Sequence, residues 1–414
     1  MGVGILSLVV AVVVAGTGDV SRPTGGLQAE SSIRVVSDQH EIDYPRSVVF
    51  RLEVEADREI TEVTLFYHLA GRPNRVYGYP EFTAGRRVSA EFSIRTGGQD
   101  YLPAGVEIKY YYQIRDSLGS VLETPRSTVA YLDPIYQWQQ MHEGDLIVTW
   151  HDIPAERVRA VVINVEASLQ AAKEMFGLDE VRPIRAVIFN SRTESARGLP
   201  FVSQAASQGR LYGGFAFSAF DQFLLAGLSE EGIAHEATHL LLEQATASPL
   251  AKIPAWLNEG LATYFEPRTA QRARAAAQAA RDRSLLRLRS MGAVPGRPDE
   301  VRVFYAQSWS IVTHMIDTYG ADRMADLLAT LDTGAGIDEA LRRVYGMGTD
   351  GLEAEWRTQF VGSTSLLPRL DPGTLATSLL ITAAMAIAAG VSAYRWLVRR
   401  PEEAEPEDLE PFDG

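Results

Sequence analysis

The sequence predicts an α+β protein in three parts. A β-sandwich occupies residues 32–134, a domain of mixed strands and then helices occupies 137–362, and a single transmembrane helix occupies 374–398. Three observations carry this. Apolar residues alternate at period two from Ser32 to Leu132, the signature of half-buried strands. From about Gln137 the period changes to that of helices, with short apolar strand-like runs between them. Near the C-terminus, Leu375 to Tyr394 runs for about twenty residues without a charge, the length of one bilayer crossing.

Taken in chain order, Gly4 to Ala15 is a short apolar run ending in small residues and resembles the core of a signal peptide, although no Lys or Arg precedes it. Residues 16–31 read as linker, so 1–29 is assigned to signal and linker. The strands expected next are Ser47 to Ala56, Ile60 to Leu69, Arg87 to Ile94 and Val106 to Arg115, rich in β-branched and aromatic residues. Turn signals at Gly71-Arg72-Pro73-Asn74, Gly97-Gly98 and Ser117-Leu118-Gly119 separate them. Short strands at this spacing suggest a sandwich of immunoglobulin or fibronectin type III kind. Tyr110-Tyr111-Tyr112 is read as strand with one face in the core, the alternative being a ligand surface.

Pro154 to Phe176 is an amphipathic helix stopped by Gly177. Ile184 to Phe189 is a strand, and Gly209 to Ala226 holds one or two more. Ser229 can cap the helix that follows. Helical runs are expected at Thr269 to Met291, Gln307 to Tyr319, Asp322 to Leu331 and Leu352 to Phe360. A linker, Gly362 to Gly373, leads to the membrane span. Arg395, Arg399 and Arg400 follow that span, so its C-terminal end faces the cytoplasm and the domains stand outside. The tail, 399–414, is acidic and reads as solvated.

Composition narrows the function. The 414 residues are 46% hydrophobic and 22% charged, ordinary for a globular chain, and the net charge of −14 argues against a nucleic-acid partner. With no cysteine, disulfide frameworks, thiolate metal sites and cysteine nucleophiles are excluded.

One pattern carries chemistry. His235-Glu236-Ala237-Thr238-His239 places two imidazoles about 40° apart around a helix axis, so both reach one point. A hydrolytic zinc takes three protein ligands and keeps one position for water. Trp256-Leu257-Asn258-Glu259-Gly260 supplies a carboxylate as third ligand. Glu236, beside the first histidine, is placed to take a proton from a water whose pKa the ion lowers to roughly 7. Gly232-Ile233-Ala234 and Leu240-Leu241-Leu242 flank the motif, so the helix is largely buried, and buried ionisable groups need partners.

This motif, with Glu259 nineteen intervening residues downstream, resembles the gluzincin metallopeptidases, the thermolysin-like and aminopeptidase-like group. Trp256 to Ala262 is similar to the third-ligand helix of the aminopeptidase branch, while the spacing is nearer the thermolysin branch. Tyr305 to Gly320 looks like the tyrosine-bearing helix of such domains. The resemblance spans roughly residues 145–362. It implies Zn2+ at His235, His239 and Glu259, Glu236 as base and acid, and Tyr305 as a donor to the tetrahedral oxyanion. Joined to the C-terminal span and its flanking arginines, this gives a membrane-anchored, extracytoplasmic peptidase acting on protein or peptide substrates. The alternative is a catalytically silent surface protein that uses this fold as a scaffold.

Two departures stand out. Thermolysin-like enzymes carry, four residues past the third ligand, an aspartate that orients a histidine; Thr263 stands there. The Gly-Ala-Met-Glu-Asn strand of aminopeptidases is replaced by Tyr212-Gly213-Gly214-Phe215-Ala216-Phe217, an edge strand that could pair with an extended peptide. The Arg/Ala-rich stretch Arg268 to Arg289 is read as a solvated helix face or a lid over the cleft. His314 is either a further oxyanion donor or a surface or supporting residue. His40, His68, His142 and His151 have no ligand spacing.

Overall fold

The computed structural model describes residues 33–199 and 214–365. The expected signal segment, membrane span and acidic tail lie outside the described residues. Among the described residues, no helix is long and apolar enough to cross a membrane.

The N-terminal part is one seven-stranded sheet: β1 (Arg34–Asp43), β2 (Ser47–Leu69), β3 (Arg75–Gly78), β4 (Gly85–Arg95), β5 (Glu107–Asp116), β6 (Val121–Glu123) and β7 (Ser127–Ala130). Two strands expected as separate are continuous: β2 runs for 23 residues. Asp57-Arg58-Glu59, between the two expected strands, holds no Gly, Pro or Asn to reverse the chain. The register with β4 and β5 slips there instead. The first half of β2 pairs with β1 and β4, the second half with β3 and β5. The sheet folds over on itself, and Phe50 of the first half meets Tyr110 of β5 edge-on at 4.7 Å. Val48, Phe50, Leu52 and Val54 fill the inside with Ile108, Tyr110, Tyr112 and Ile114. Tyr111 turns outward and stacks on Phe66 at 5.2 Å, so the tyrosine run alternates in and out as the pleat requires.

A second sheet of five strands follows in the order β11-β12-β10-β9-β8. Its strands are β8 (Gln139–Glu143), β9 (Leu146–Trp150), β10 (Ile184–Phe189), β11 (Gly214–Phe217) and β12 (Gln222–Ala226). β9, β10 and β12 are parallel; β8 and β11 run antiparallel at the edges. The helices are α1 (Ala155–Phe176), α2 (Arg192–Arg197), α3 (Glu230–Ala245), α4 (Ala255–Tyr264), α5 (Ala270–Arg281), α6 (Pro298–Tyr319), α7 (Ala321–Asp332), α8 (Ile337–Tyr345) and α9 (Thr349–Ser365). The single helix expected over Thr269 to Met291 stops at Arg281, where Arg283 takes φ +55. The helix expected from Gln307 begins nine residues earlier, with Pro298 in its first turn.

Both faces of this second sheet are buried. Ile184, Ala186 and Ile188 of β10 face α1 and α3 in one core, whereas Val187 and Phe189 join the core of the N-terminal sheet. A strand covered on both sides needs apolar residues at every position, which explains the unbroken run Ala186 to Phe189. Polar links tie the two sheets together: Tyr101 donates to the Gly198 carbonyl at 2.7 Å, and Arg197 pairs with Asp133 at 2.9 Å.

The two sheets also approach backbone to backbone at Gly71, whose φ is +84 and whose added Cβ would lie 2.4 Å from the Phe220 backbone. Gly71→Ala is therefore expected to cost roughly 2–4 kcal/mol, combining a disfavoured φ with a backbone clash. Thermal unfolding of the variant checks this, and an unchanged Tm would contradict it.

Candidate metal centre

Helix α3 starts at Ser229, whose side chain accepts from the Gly232 amide at 2.8 Å. One face of the helix is packed into the core by Ile233, Ala237, Leu240 and Leu241. That packing fixes the helix rotation and turns His235 and His239 toward α4. Helix α4 enters at Pro254 and lies along α6, with Trp256, Leu257 and Leu261 buried. The remaining face carries Asn258 and Glu259.

His235, His239 and Glu259 each offer one donor atom, and the three atoms lie within 4.8 Å of one another. The two Nε2 atoms are 3.1 Å apart. Glu259 Oε2 is 3.3 Å from His235 Nε2 and 3.5 Å from His239 Nε2. Tetrahedral zinc with bonds near 2.0–2.1 Å separates its ligands by about 3.3 Å, so this triangle has the edge length that one ion requires. Among the described residues no other such group of histidines and acids occurs. Among the described residues the buried Glu259 Oε2 has no donor in bonding geometry, its nearest nitrogens being the two Nε2 atoms, an arrangement that a shared cation completes. The donor set therefore fits a divalent ion of the zinc class.

The far nitrogens are held as a metal site needs. His235 Nδ1–H donates to Glu266 Oε1 at 3.0 Å, and His239 Nδ1–H donates to Asn258 Oδ1 at 2.7 Å. Each bond turns the Nε2 lone pair toward the cluster and sharpens its basicity. Neither partner was identified from the sequence. Thr263 occupies the position where thermolysin-like enzymes have their orienting aspartate, and its buried hydroxyl has no partner among the described residues. Three residues further on, Glu266 takes that place from just beyond the C-terminal end of α4 at Tyr264, so helical spacing from Glu259 does not reveal it. Glu266→Ala is expected to weaken zinc affinity by roughly 10- to 100-fold, measured by competition with a chromophoric chelator. An affinity within twofold of the parent would show that Glu266 does not support the site.

Electrostatics bind the cluster further. Burial opposes charge on His235, yet Glu259 and Glu266 favour positive charge there and push its pKa up to about 10, the same field that favours a cation at Nε2 in place of the proton. Burial also opposes charge on Glu259, but the two imidazoles outweigh it and bring its pKa down to about 2. Glu236 goes the other way: burial raises its pKa over the pull of His235 and His239, and Glu259 adds to the rise. Ligand and neighbouring acid thus differ in the sense expected of a ligand and a proton acceptor.

Glu236 lies against β11. A Cβ at Gly214 would fall 2.5 Å from Glu236 Oε1, so only glycine lets the strand approach the carboxylate this closely. Both line a cleft of about 720 Å³ with His235, Glu266, Arg272 and Tyr305. The Tyr305 ring is buried, with its centroid 6.3 Å from that of His235. Arg272 of α5 sits over the Tyr305 ring at 5.7 Å and reaches Glu266 Oε1 at 3.3 Å. The arginine-rich segment therefore sends one side chain into the cleft wall. A second hollow of about 280 Å³ borders His239 and Asn258. His314 is elsewhere, donating to Glu355 at 3.1 Å.

Residues 166–362 match the Peptidase MA superfamily, which supports a metallopeptidase-like domain of gluzincin type in this part of the chain. Solved structures of similar arrangement include an M1 zinc metallopeptidase from Deinococcus radiodurans, at 13% identity and a TM-score of 0.35, covering 79% of this chain and 92% of that one. Another is an aminopeptidase N family protein from Idiomarina loihiensis, at 8% identity and a TM-score of 0.37, covering 75% and 73%. No curated protein matches the chain.

Proposed function

We propose that this protein is a zinc-dependent peptidase that hydrolyses protein or peptide bonds. The observation that carries it is the triangle of His235, His239 and Glu259 with Glu236 buried beside it. His235, His239 and Glu259 would hold the ion, which when bound supplies Lewis acidity to water and to the scissile carbonyl. Glu236 takes the proton from the attacking water and returns it to the leaving amine. Tyr305, in the same cleft, donates a hydrogen bond as charge develops on the carbonyl oxygen. Among the described residues no strand pairs with the outer edge of β11. That edge can take the substrate backbone as an added strand, which would hold an extended peptide beside Glu236.

In this reading the domain stands outside the cytoplasm, anchored by Leu375 to Tyr394 with Arg395, Arg399 and Arg400 on the inner side. The test of the activity is a broad peptide library digested by the purified full-length protein and read by mass spectrometry. Cleavage that a chelator stops and zinc restores supports it. No cleavage of any peptide by zinc-loaded protein would leave the silent scaffold standing.

A further inference from the structure

The cleft is lined by more than the metal cluster needs. Pro298, Val301, Arg302 and Tyr305 of α6 all line it, and their i, i+3, i+4, i+7 spacing makes them one face of that helix. Leu225 and Leu228 form apolar wall beside them. The other charges in the lining are engaged: Glu231 with Arg268, Glu266 with His235 and Arg272, and Glu236 beside the two imidazoles. Arg302 is exposed and has no ion pair or hydrogen bond among the described residues. A chain with a net charge of −14 therefore presents an uncommitted cation on the wall of its cleft.

Distance gives this cation a role. Arg302 is three residues from Tyr305, about 4.5 Å along the helix axis. Successive residues of an extended peptide are about 3.3 Å apart. If the carbonyl under attack is near Tyr305, the neighbouring substrate side chain comes within reach of the Arg302 guanidinium. We propose that Arg302 selects peptides that carry an acidic side chain next to the scissile bond. This rests on the peptidase reading and names the substrate class of that site. The apolar wall accommodates the side-chain stem, and a carboxylate at its end pairs with the guanidinium.

The experiment uses the zinc-loaded full-length protein and quenched peptides with one scissile bond. The residue on each side of that bond is varied in turn between Glu, Gln and Lys. At one side, kcat/KM should fall in the order Glu, Gln, Lys, with Glu over Lys by roughly tenfold or more. The ratio should shrink in Arg302→Gln, invert in Arg302→Glu, and diminish at high salt. A second readout is fluorescence anisotropy of the same peptides on the Glu236→Gln protein, where the Glu peptide should bind tightest and lose that advantage when Arg302→Glu is added. Cleavage with no charge preference, or a preference that Arg302→Glu leaves intact, overturns this proposal and leaves the peptidase reading in place. Neither cleavage nor binding of any peptide overturns both.

Discussion

Glu236→Gln is expected to keep about one zinc per chain and to lower kcat by roughly 10²- to 10⁴-fold, the usual share of a general base. The substitution preserves shape and volume, so packing against Gly214 is retained. Glu236 is not one of the three clustered donors, so metal affinity should change little. Its lost function is the acceptance of a proton, which an amide cannot do. Thermal stability should not fall, because burial already disfavours the ionised carboxylate. The measurements are metal content by elemental analysis and initial rates on the best library peptide. Activity near the parent's would remove Glu236 from the mechanism.

The second large effect concerns the metal itself. Glu259→Ala is expected to reduce zinc affinity by roughly 10³-fold, leaving a two-histidine site too weak to survive dialysis. The change removes the only acidic donor of the cluster and the carboxylate that stabilises His235. Together with Glu266→Ala, it forms a graded series. Loss of a direct donor should cost at least an order of magnitude more than loss of the residue that orients His235. Stoichiometric zinc in dialysed Glu259→Ala would show that the ion is held elsewhere, and the peptidase reading would fail with it.

Much of this site was legible because its information is local. Two histidines at i and i+4, an acid between them and apolar flanks describe one face of one helix, and Ser229 marks where that helix begins. Asn258 and Glu266 were not singled out. Their contribution appears only when α3 and α4 pack and the Nδ1 atoms of the histidines find acceptors. Arg272 and Arg302 are similar cases. On a sequence they are two among many surface arginines, and only the packing of α5 and α6 around the cleft separates them from the rest.

The N-terminal sheet follows the same division. Alternation marked its strands, but the break expected between Ala56 and Ile60 became a continuous strand that serves both halves of the folded sheet. Period-two and period-3.6 patterns report which face of an element is buried, since that depends on the residue's own neighbours along the chain. They therefore determined the element types, the buried faces and the chemistry offered by the histidine helix. Which element covers which face is set by contacts between residues far apart in sequence, whose energies no local pattern encodes. Only the tertiary structure decided that β10 is buried on both sides, that Glu266 supports His235, and that Arg302 stands exposed in the wall of the cleft.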